Sequence, residues 1–383
     1  MRRIAAAVIV WVAILATPPA TACTFCGGGV SSRQTLREHF QQAKFVAYGQ
    51  LKNPRFDPNG TMSTTDFHVA QVLKNYEKLG NQAVLTLPKY IPVIGNTAPD
   101  FLIFTTVVDG KPDPLHGIPA TPSVTEYVKS LCKLDEKDAT KRLAFYFTYL
   151  DSRDPTLAGD AFLEFAKASD AEITAARVAL VPATLRKLLA NAETPVDRLG
   201  VYAMMLGLCG TAEDQLGFSK LLQTQPLPDR IRDNLGGYLA AMTLLDPNMG
   251  WATVEAISTD AKRPYAERLS AIGTVRFFHT TRPQETKAHV LKCYRGLLAH
   301  SDLADMAIED LRRWGYWELT PDILSQFSKP SHSGRLIRRS IVYYALSCPG
   351  ADATRFINTV QLSDPKLVET VRELMLLQDP PKK

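Results

Sequence analysis

The chain reads as an α+β protein of two domains, a small antiparallel β-barrel followed by an all-α solenoid. Three observations predict this. Strand-like alternation and turn dipeptides fill residues 45–108, and helical patterns take over from Asp135 onward. A charged triplet then recurs through the helical part as Asp197-Arg198-Leu199, Asp229-Arg230-Ile231, Glu267-Arg268-Leu269 and Gly334-Arg335-Leu336. Its arginines stand 32, 38 and 67 residues apart, and Ser301-Asp302-Leu303 fills the missing place in the last interval. A period of this size holds two helices, the unit of an array that buries its core only by stacking.

At 383 residues the chain has room for two cores, and 45% apolar with 22% charged residues is ordinary for a globular protein. The long apolar run Ile4–Ala16 follows Arg2 and Arg3 and is short for a membrane span. With Ala20-Thr21-Ala22 as a small-residue cleavage site, residues 1–22 are expected to be a signal peptide. The β-domain is then expected over 23–134 and the helical repeat domain over 135–379. Loss of Arg2 and Arg3 lowers the formal charge from +5 to +3. So mild a balance gives no reason to expect nucleic acid or an anionic membrane as partner. Export to the periplasm, cell envelope or medium is implied. Ala20-Thr21-Ala22-Cys23 also resembles the lipobox of bacterial lipoproteins, which would tie the chain to a membrane through an acylated Cys23.

In the β-domain, Gly27-Gly28-Gly29 leads into a short helix over Arg33–Ala43, and Phe45–Leu51 reads as a strand. A second strand over Ser63–Leu73 alternates Phe67, Val69, Gln71 and Leu73. Between them lies Asn59-Gly60, a hairpin dipeptide, so the two runs are expected to pair antiparallel. Ala83–Leu87 and Phe101–Val108 supply two more strands. Pro112, Pro114, Pro119 and Pro122 are read as excluding regular structure there, before a closing helix over Val124–Leu131.

Strand signals stop at Asp135. Helices are expected over Arg142–Leu150, Thr156–Lys167 and 182–191. Pairs follow at 195–209/212–223, 229–244/248–259, 265–278/284–299, 302–313/317–327 and 334–347/350–360, with 364–377 closing the stack. In the first pair Thr194 suits a cap and Pro195 the first helical position. Val196, Leu199, Tyr202, Ala203, Leu206 and Cys209 share one face.

Cys23-Thr24-Phe25-Cys26, Ala43–Gly49 and Phe67–Lys74 resemble the netrin/tissue-inhibitor-of-metalloproteinase-like group. That resemblance implies a barrel of oligonucleotide/oligosaccharide-binding (OB) topology. It also implies, as one alternative function, an inhibitor-like module chelating zinc through the Cys23 amine and carbonyl. The spacing here is C-x-x-C, where the metalloproteinase inhibitors have C-x-C. The helical part resembles HEAT-like repeats. Cys23–Cys26, Asp160–Ala166, Met204–Gly210 and Asp310–Trp314 together resemble a family of exported planctomycete-type bacterial proteins that join a cysteine-bearing β-domain to helical repeats. The resemblance implies export and this architecture, and no activity.

Six cysteines follow the presumed cleavage point: Cys23, Cys26, Cys132, Cys209, Cys293 and Cys348. In an exported chain Cys23, Cys26 and Cys132 are the disulfide candidates, with a bridge from Cys26 to Cys132 favoured because it would close the β-domain. The other three fall in helical patterns and read as buried, inert thiols. A C-x-x-C pair also permits thiol–disulfide exchange when one thiol has a lowered pKa. Here it begins the mature chain, outside any βαβ unit. Cys23, Cys26 and His39, with Cys132 or His68, have ligand-like spacing for zinc, but an exported thiol pair favours a disulfide and no metal is assigned. No nucleophile-elbow, zincin, P-loop or dinucleotide motif occurs, and no cofactor is implied. Arg198, Arg230, Arg268 and Arg335 are either an anion-binding stripe or staples within and between repeats. Trp314 and Trp317 are either an exposed aromatic anchor or core. The function expected is therefore a non-catalytic exported scaffold whose helical surface binds a protein or extended polymer, with a thiol–disulfide oxidoreductase as the rival.

Overall fold

The computed structural model describes residues 23–26, 32–58, 63–77, 79, 81–93, 98–108, 110–131, 133–134, 137–224 and 226–378. Cys132, the Asn59-Gly60 turn, the glycine loop and residues 1–22 lie outside these residues. The described chain is α+β: helix α1 (Leu36–Gln42), one antiparallel five-stranded sheet, then seventeen helices.

The strands are β1 (Phe45–Arg55), β2 (Thr64–Lys74), β3 (Val84–Leu87), β4 (Asp100–Val108) and β5 (Lys111–Pro119), in the order β3-β2-β1-β4-β5. Strand alternation divides the side chains between two cores. Phe45, Ala47, Leu51, Phe67, Leu85, Leu87 and Ile103 fill one face of the sheet. Val46, Leu102 and Phe104 turn the other way, toward α1, α2 (Pro122–Leu131) and the helices beyond. β1 and β2 pair antiparallel as the sequence predicts. The sheet is not closed: β3 and β5 are its edges, and no ladder joins them to complete a barrel.

The proline-rich stretch is a strand after all. Pro112, Pro114 and Pro119 lie in β5, which pairs with β4 alone. An edge strand has one side free of ladder bonds, so a residue without an N–H is tolerated when it faces that side. A register shift between Phe104 and Thr105 falls between Pro114 and Pro119, which explains why the prolines change parity along the strand. Pro122 opens α2 rather than breaking it.

The helices are α3 (Ala139–Phe147), α4 (Pro155–Lys167), α5 (Asp170–Ala175), α6 (Pro182–Ala190), α7 (Leu199–Cys209), α8 (Ala212–Gln223), α9 (Asp229–Arg232), α10 (Leu235–Leu245) and α11 (Pro247–Thr259). They continue as α12 (Tyr265–Thr281), α13 (Pro283–Leu297), α14 (Ala304–Trp314), α15 (Thr320–Gln326), α16 (Arg335–Ser347), α17 (Ala351–Ser363) and α18 (Pro365–Gln378). Every expected pair is present. Packing runs from α7 to α10 to α12 in one row and from α11 to α13 in another. At Gly237 a Cβ would meet the Gly200 carbonyl oxygen at 2.0 Å, so α7 and α10 touch backbone to backbone.

Three local expectations are corrected. Thr194 caps nothing; its hydroxyl donates to the Leu188 carbonyl (2.6 Å), and α7 begins at Leu199 after a 3-10 turn over Val196–Arg198. The expected helix 229–244 is broken between α9 and α10, where Asn234 donates to the Arg230 carbonyl and accepts from the Gly200 N–H. α7 is buried on all sides from Leu199 to Gly207, not on one face, because neighbouring helices and the N-terminal segment cover it together.

Leu199, Leu235 and Ile272 are fully buried and 36 and 37 residues apart, which is the packing period of this stretch. The arginine triplet drifts against it, and Leu269 is only partly buried. Leu199→Ala should therefore cost about 2–5 kcal/mol in urea unfolding, with Leu269→Ala costing clearly less. Equal losses would reject this register.

Candidate functional site

The sharpest sequence candidate, Cys23–Cys26, forms a turn in which the Cys26 N–H donates to the Cys23 carbonyl (3.3 Å). It is seated on the helices. The Thr24 N–H donates to Asp170 Oδ1 (3.0 Å), and the Thr24 hydroxyl donates to the same carboxylate. The Phe25 ring lies 5.4 Å from that of Phe277. Three glycines let the helix backbones approach it: a Cβ on Gly236 would stand 3.2 Å from the ring, on Gly273 3.9 Å, and on Gly200 3.6 Å from Phe25 Cβ. The turn thus rests on α5, α7, α10 and α12.

Behind it, α1 docks on α4 through a run of buried charges. Asp160 accepts from the Leu36 N–H (2.7 Å) and from the Tyr127 hydroxyl (2.7 Å). Glu164, almost fully buried, receives the Arg37 guanidinium at 3.0 Å, and Lys167 pairs with Glu38 at 2.6 Å. Burial works against the Arg37 cation, but Glu164 outweighs it and the pKa sits above its ordinary value. Burial also lifts the Asp160 carboxyl to about 6, despite the hydrogen bonds from Tyr127 and Leu36 that oppose it. The same cause raises Asp170, against the donation from Thr24. Burial and the Asp160 charge push the Tyr127 hydroxyl far up, so it stays a donor.

The thiols are placed where a thiolate is disfavoured. Cys23 is buried, and Cys26 is pushed far above the ordinary thiol range by burial, by Cys23 beside it and by Asp170 and Asp197. A reactive cysteine needs the opposite surroundings, a cation or a helix N-terminus. Burial raises Cys209 to about 11 and Cys293 to about 12. Cys348 is buried with its sulfur 3.5 Å from the Thr320 hydroxyl, as the inert reading of these three expects. His39 stacks on His116 with ring centroids 4.0 Å apart, beside Phe104 of the sheet. Among the described residues no three His, Cys, Asp or Glu side chains converge as metal ligands.

The arginines do not stand at one register. Arg198 ends the 3-10 turn before α7, Arg230 lies in α9, Arg268 sits in the first turn of α12, and Arg335 opens α16. Three of them reach the neighbouring repeat. Arg198 donates to the Ala158 carbonyl (3.3 Å) and lies over the Phe162 ring. Arg230 donates to the Ala192 and Thr194 carbonyls (2.5 and 2.7 Å). Arg268 grips Asp302 with two bonds (2.8 and 2.7 Å). They are staples, and Arg335 alone is exposed and without such a contact among the described residues. Trp314 is stacked between His279 (3.8 Å) and Tyr294 (5.5 Å), and Trp317 packs edge-on to Tyr344 (5.1 Å). Both are partly buried against the core.

Asp160, Glu164 and Asp170 were not singled out from the sequence as a docking site. Their signal was there: carboxylates at i and i+4 between Ala161, Phe162, Leu163 and Phe165 lie on a helix with no polar face to hold them. Comparison with protein-family models, curated proteins and solved structures finds no match to this chain.

Asp160 gives a prediction with a definite sign. Its folded pKa of about 6 lies above the ordinary 3.8, so the folded state holds this proton more tightly. The resulting stability is fully present below the ordinary value and lost as pH rises through about 6. Two units correspond to roughly 3 kcal/mol. Between pH 4 and pH 7, Asp160→Asn should gain stability relative to wild type by an amount of that order in paired urea titrations. A constant difference across that range would refute the assignment.

Proposed function

We propose that the chain is a non-catalytic binding and scaffolding protein of the cell envelope. In this reading the helix pairs work as a HEAT-like solenoid, and the sheet is an OB/NTR-like barrel left open between β3 and β5. Export rests on the apolar run Ile4–Ala16 and the small residues Ala20–Ala22. Among the described residues no helix is long and apolar enough to cross a membrane. The partner is a protein or extended polymer, the usual cargo of stacked helical repeats.

The observation that carries this reading is the seat of Thr24 and Phe25. The row α7, α10 and α12 already holds a short segment by a glycine-lined groove and a buried carboxylate, which is binding chemistry. The rival from the enzyme class needs Cys23 or Cys26 presented as a thiolate, and both lie in an apolar, negatively charged seat. An inhibitor-like module would need the Cys23 backbone free to reach a metal, whereas Cys23 is 4% exposed.

Thiol chemistry separates the classes. The folded chain should not reduce insulin, and after mild reduction Cys26 should alkylate much more slowly than in denaturant. Phe25→Ala should speed that alkylation at least about tenfold by releasing the turn, since burial controls thiol access. Insulin reduction abolished by Cys26→Ser would overturn the non-catalytic reading in favour of the oxidoreductase.

A further inference from the structure

Most arginines of the helical array have a carboxylate. Arg186 pairs with Asp214, Arg276 with Asp310, Arg295 with Asp322, and Arg312 and Arg313 with Glu309. At the C-terminal end three arginines and a lysine crowd a single carboxylate. Between α16 and α18 lies a cleft of about 310 Å³ lined by Arg335, Arg338, Arg339 and Lys366, with Asp364 as its one acid. Asp364 caps α18, its Oδ1 accepting the Leu367 N–H (3.2 Å), and brings one negative charge against four positive ones. None of the four cationic side chains makes an ion pair or hydrogen bond among the described residues. Arg338 lies over the Phe327 ring at 4.3 Å, and its Nε is buried without a partner.

The arrangement is electrostatically costly as it stands. Four cations share one concave space with a single carboxylate. Arg335 opens α16, which has no acid in its first turn, while at the start of α18 Lys366 stands beside the capping Asp364. Positive charge at a helix N-terminus is opposed by the helix dipole, where a carboxylate is the usual choice. An adjoining cleft on α12, α14 and α16 shares Arg339 but is balanced, with Asp305, Glu309 and Asp310 facing Arg276 and Arg313. The α16–α18 cleft, by contrast, holds Arg335, Arg338 and Lys366 besides the shared Arg339 against one acid. Arginine forks favour oxyanions that accept two bonds at once, and the ring-supported Arg338 is already positioned.

We propose that the α16–α18 cleft is a binding site for a tetrahedral oxyanion of the phosphate class, held by Arg335, Arg338, Arg339 and Lys366. The space exceeds that of a bare ion, being equal to roughly ten waters, so the group can be carried on a larger molecule. The site lies apart from the Phe25 seat, and the proposal does not depend on the scaffold reading.

The test is calorimetric titration of the full chain with inorganic phosphate and, separately, with glucose 6-phosphate in low-salt buffer. Binding of either is expected, weakening as chloride is added. Glucose 6-phosphate binding more tightly would identify an esterified phosphate as the natural form, and equal affinity the free ion. Arg335→Gln with Arg339→Gln should weaken binding at least about tenfold, as expected for lost charge-assisted hydrogen bonds. Arg295→Gln, which removes a charge on α13, should leave it unchanged. These are surface positions, and melting curves check that the variants stay folded. No binding of either probe at millimolar concentration, or equal weakening by Arg295→Gln, would overturn the proposal.

Discussion

Three buried carboxylates on α4 and α5 are the constraint on which the arrangement of this chain rests. Asp160, Glu164 and Asp170 lie within eleven residues of one another among phenylalanines, leucines and alanines. A carboxylate in such surroundings must be given donors or it destabilises the fold by several kcal/mol. Most of the donors come from one stretch. Thr24, Leu36 and Arg37 supply six of the bonds, and Tyr127 at the end of the sheet domain supplies another. The helical part therefore needs the start of the chain, and the sheet is fixed to the helices by polar satisfaction as much as by apolar contact. The continuous core from Val46 and Phe104 through Tyr127 to Phe165 agrees.

That constraint explains the unusual helices beside it. α7 and α10 are apolar on every side, a composition that would fail on an open face of a helical array. Here one side packs against neighbouring helices and part of the other receives Phe25. Glycine at 200, 236 and 273 serves this twice, by letting helix backbones close on each other and by making room for the ring. Arginine plays the matching polar role. Arg198 and Arg230 reach back to carbonyls of the preceding repeat, and Arg268 reaches forward to Asp302. Each joins units that no local hydrogen bond connects.

Much of this was legible. Helix pairs, their junctions and the β1–β2 pairing follow from periodicity and turn residues, which are local signals. The burial of Cys293 and Cys348 follows from their place in apolar patterns, whereas Cys209, at the end of α7, is only half-buried. What escaped was set by distant partners. β5 carries three prolines because it is an edge, and a sequence does not announce which strand will be outermost. Arg198 and Arg230 look alike in their triplets, yet α9 and the break at Asn234 put them at different heights along the repeat. The true register was written in Leu199-Gly200 and Leu235-Gly236, where a small residue marks close approach. Asp160 and Glu164 broke the apolar pattern of α4 visibly, but their donors Leu36 and Arg37 lie more than a hundred residues upstream and Tyr127 in another element.

Charge is distributed unevenly along the array, and this bears on how it works. At the N-terminal end of the array the carboxylates are buried and met by Thr24, Leu36, Arg37 and Tyr127 of the same chain. Toward the middle, Arg186 with Asp214, Arg268 with Asp302 and Arg276 with Asp310 pair between helices. At the C-terminal end Arg335, Arg338, Arg339 and Lys366 face a cleft whose one acid is Asp364. A chain stabilised only for its own sake would place further acids there, above all at the start of α16, since a first-turn carboxylate favours the helix and offsets the cations at once. Retaining uncompensated cations at two helix starts makes sense when the missing negative charge is supplied from outside. The two ends of the array thus apply one rule, that a concentrated charge must meet its opposite. One end satisfies it internally, and the other leaves it to a ligand.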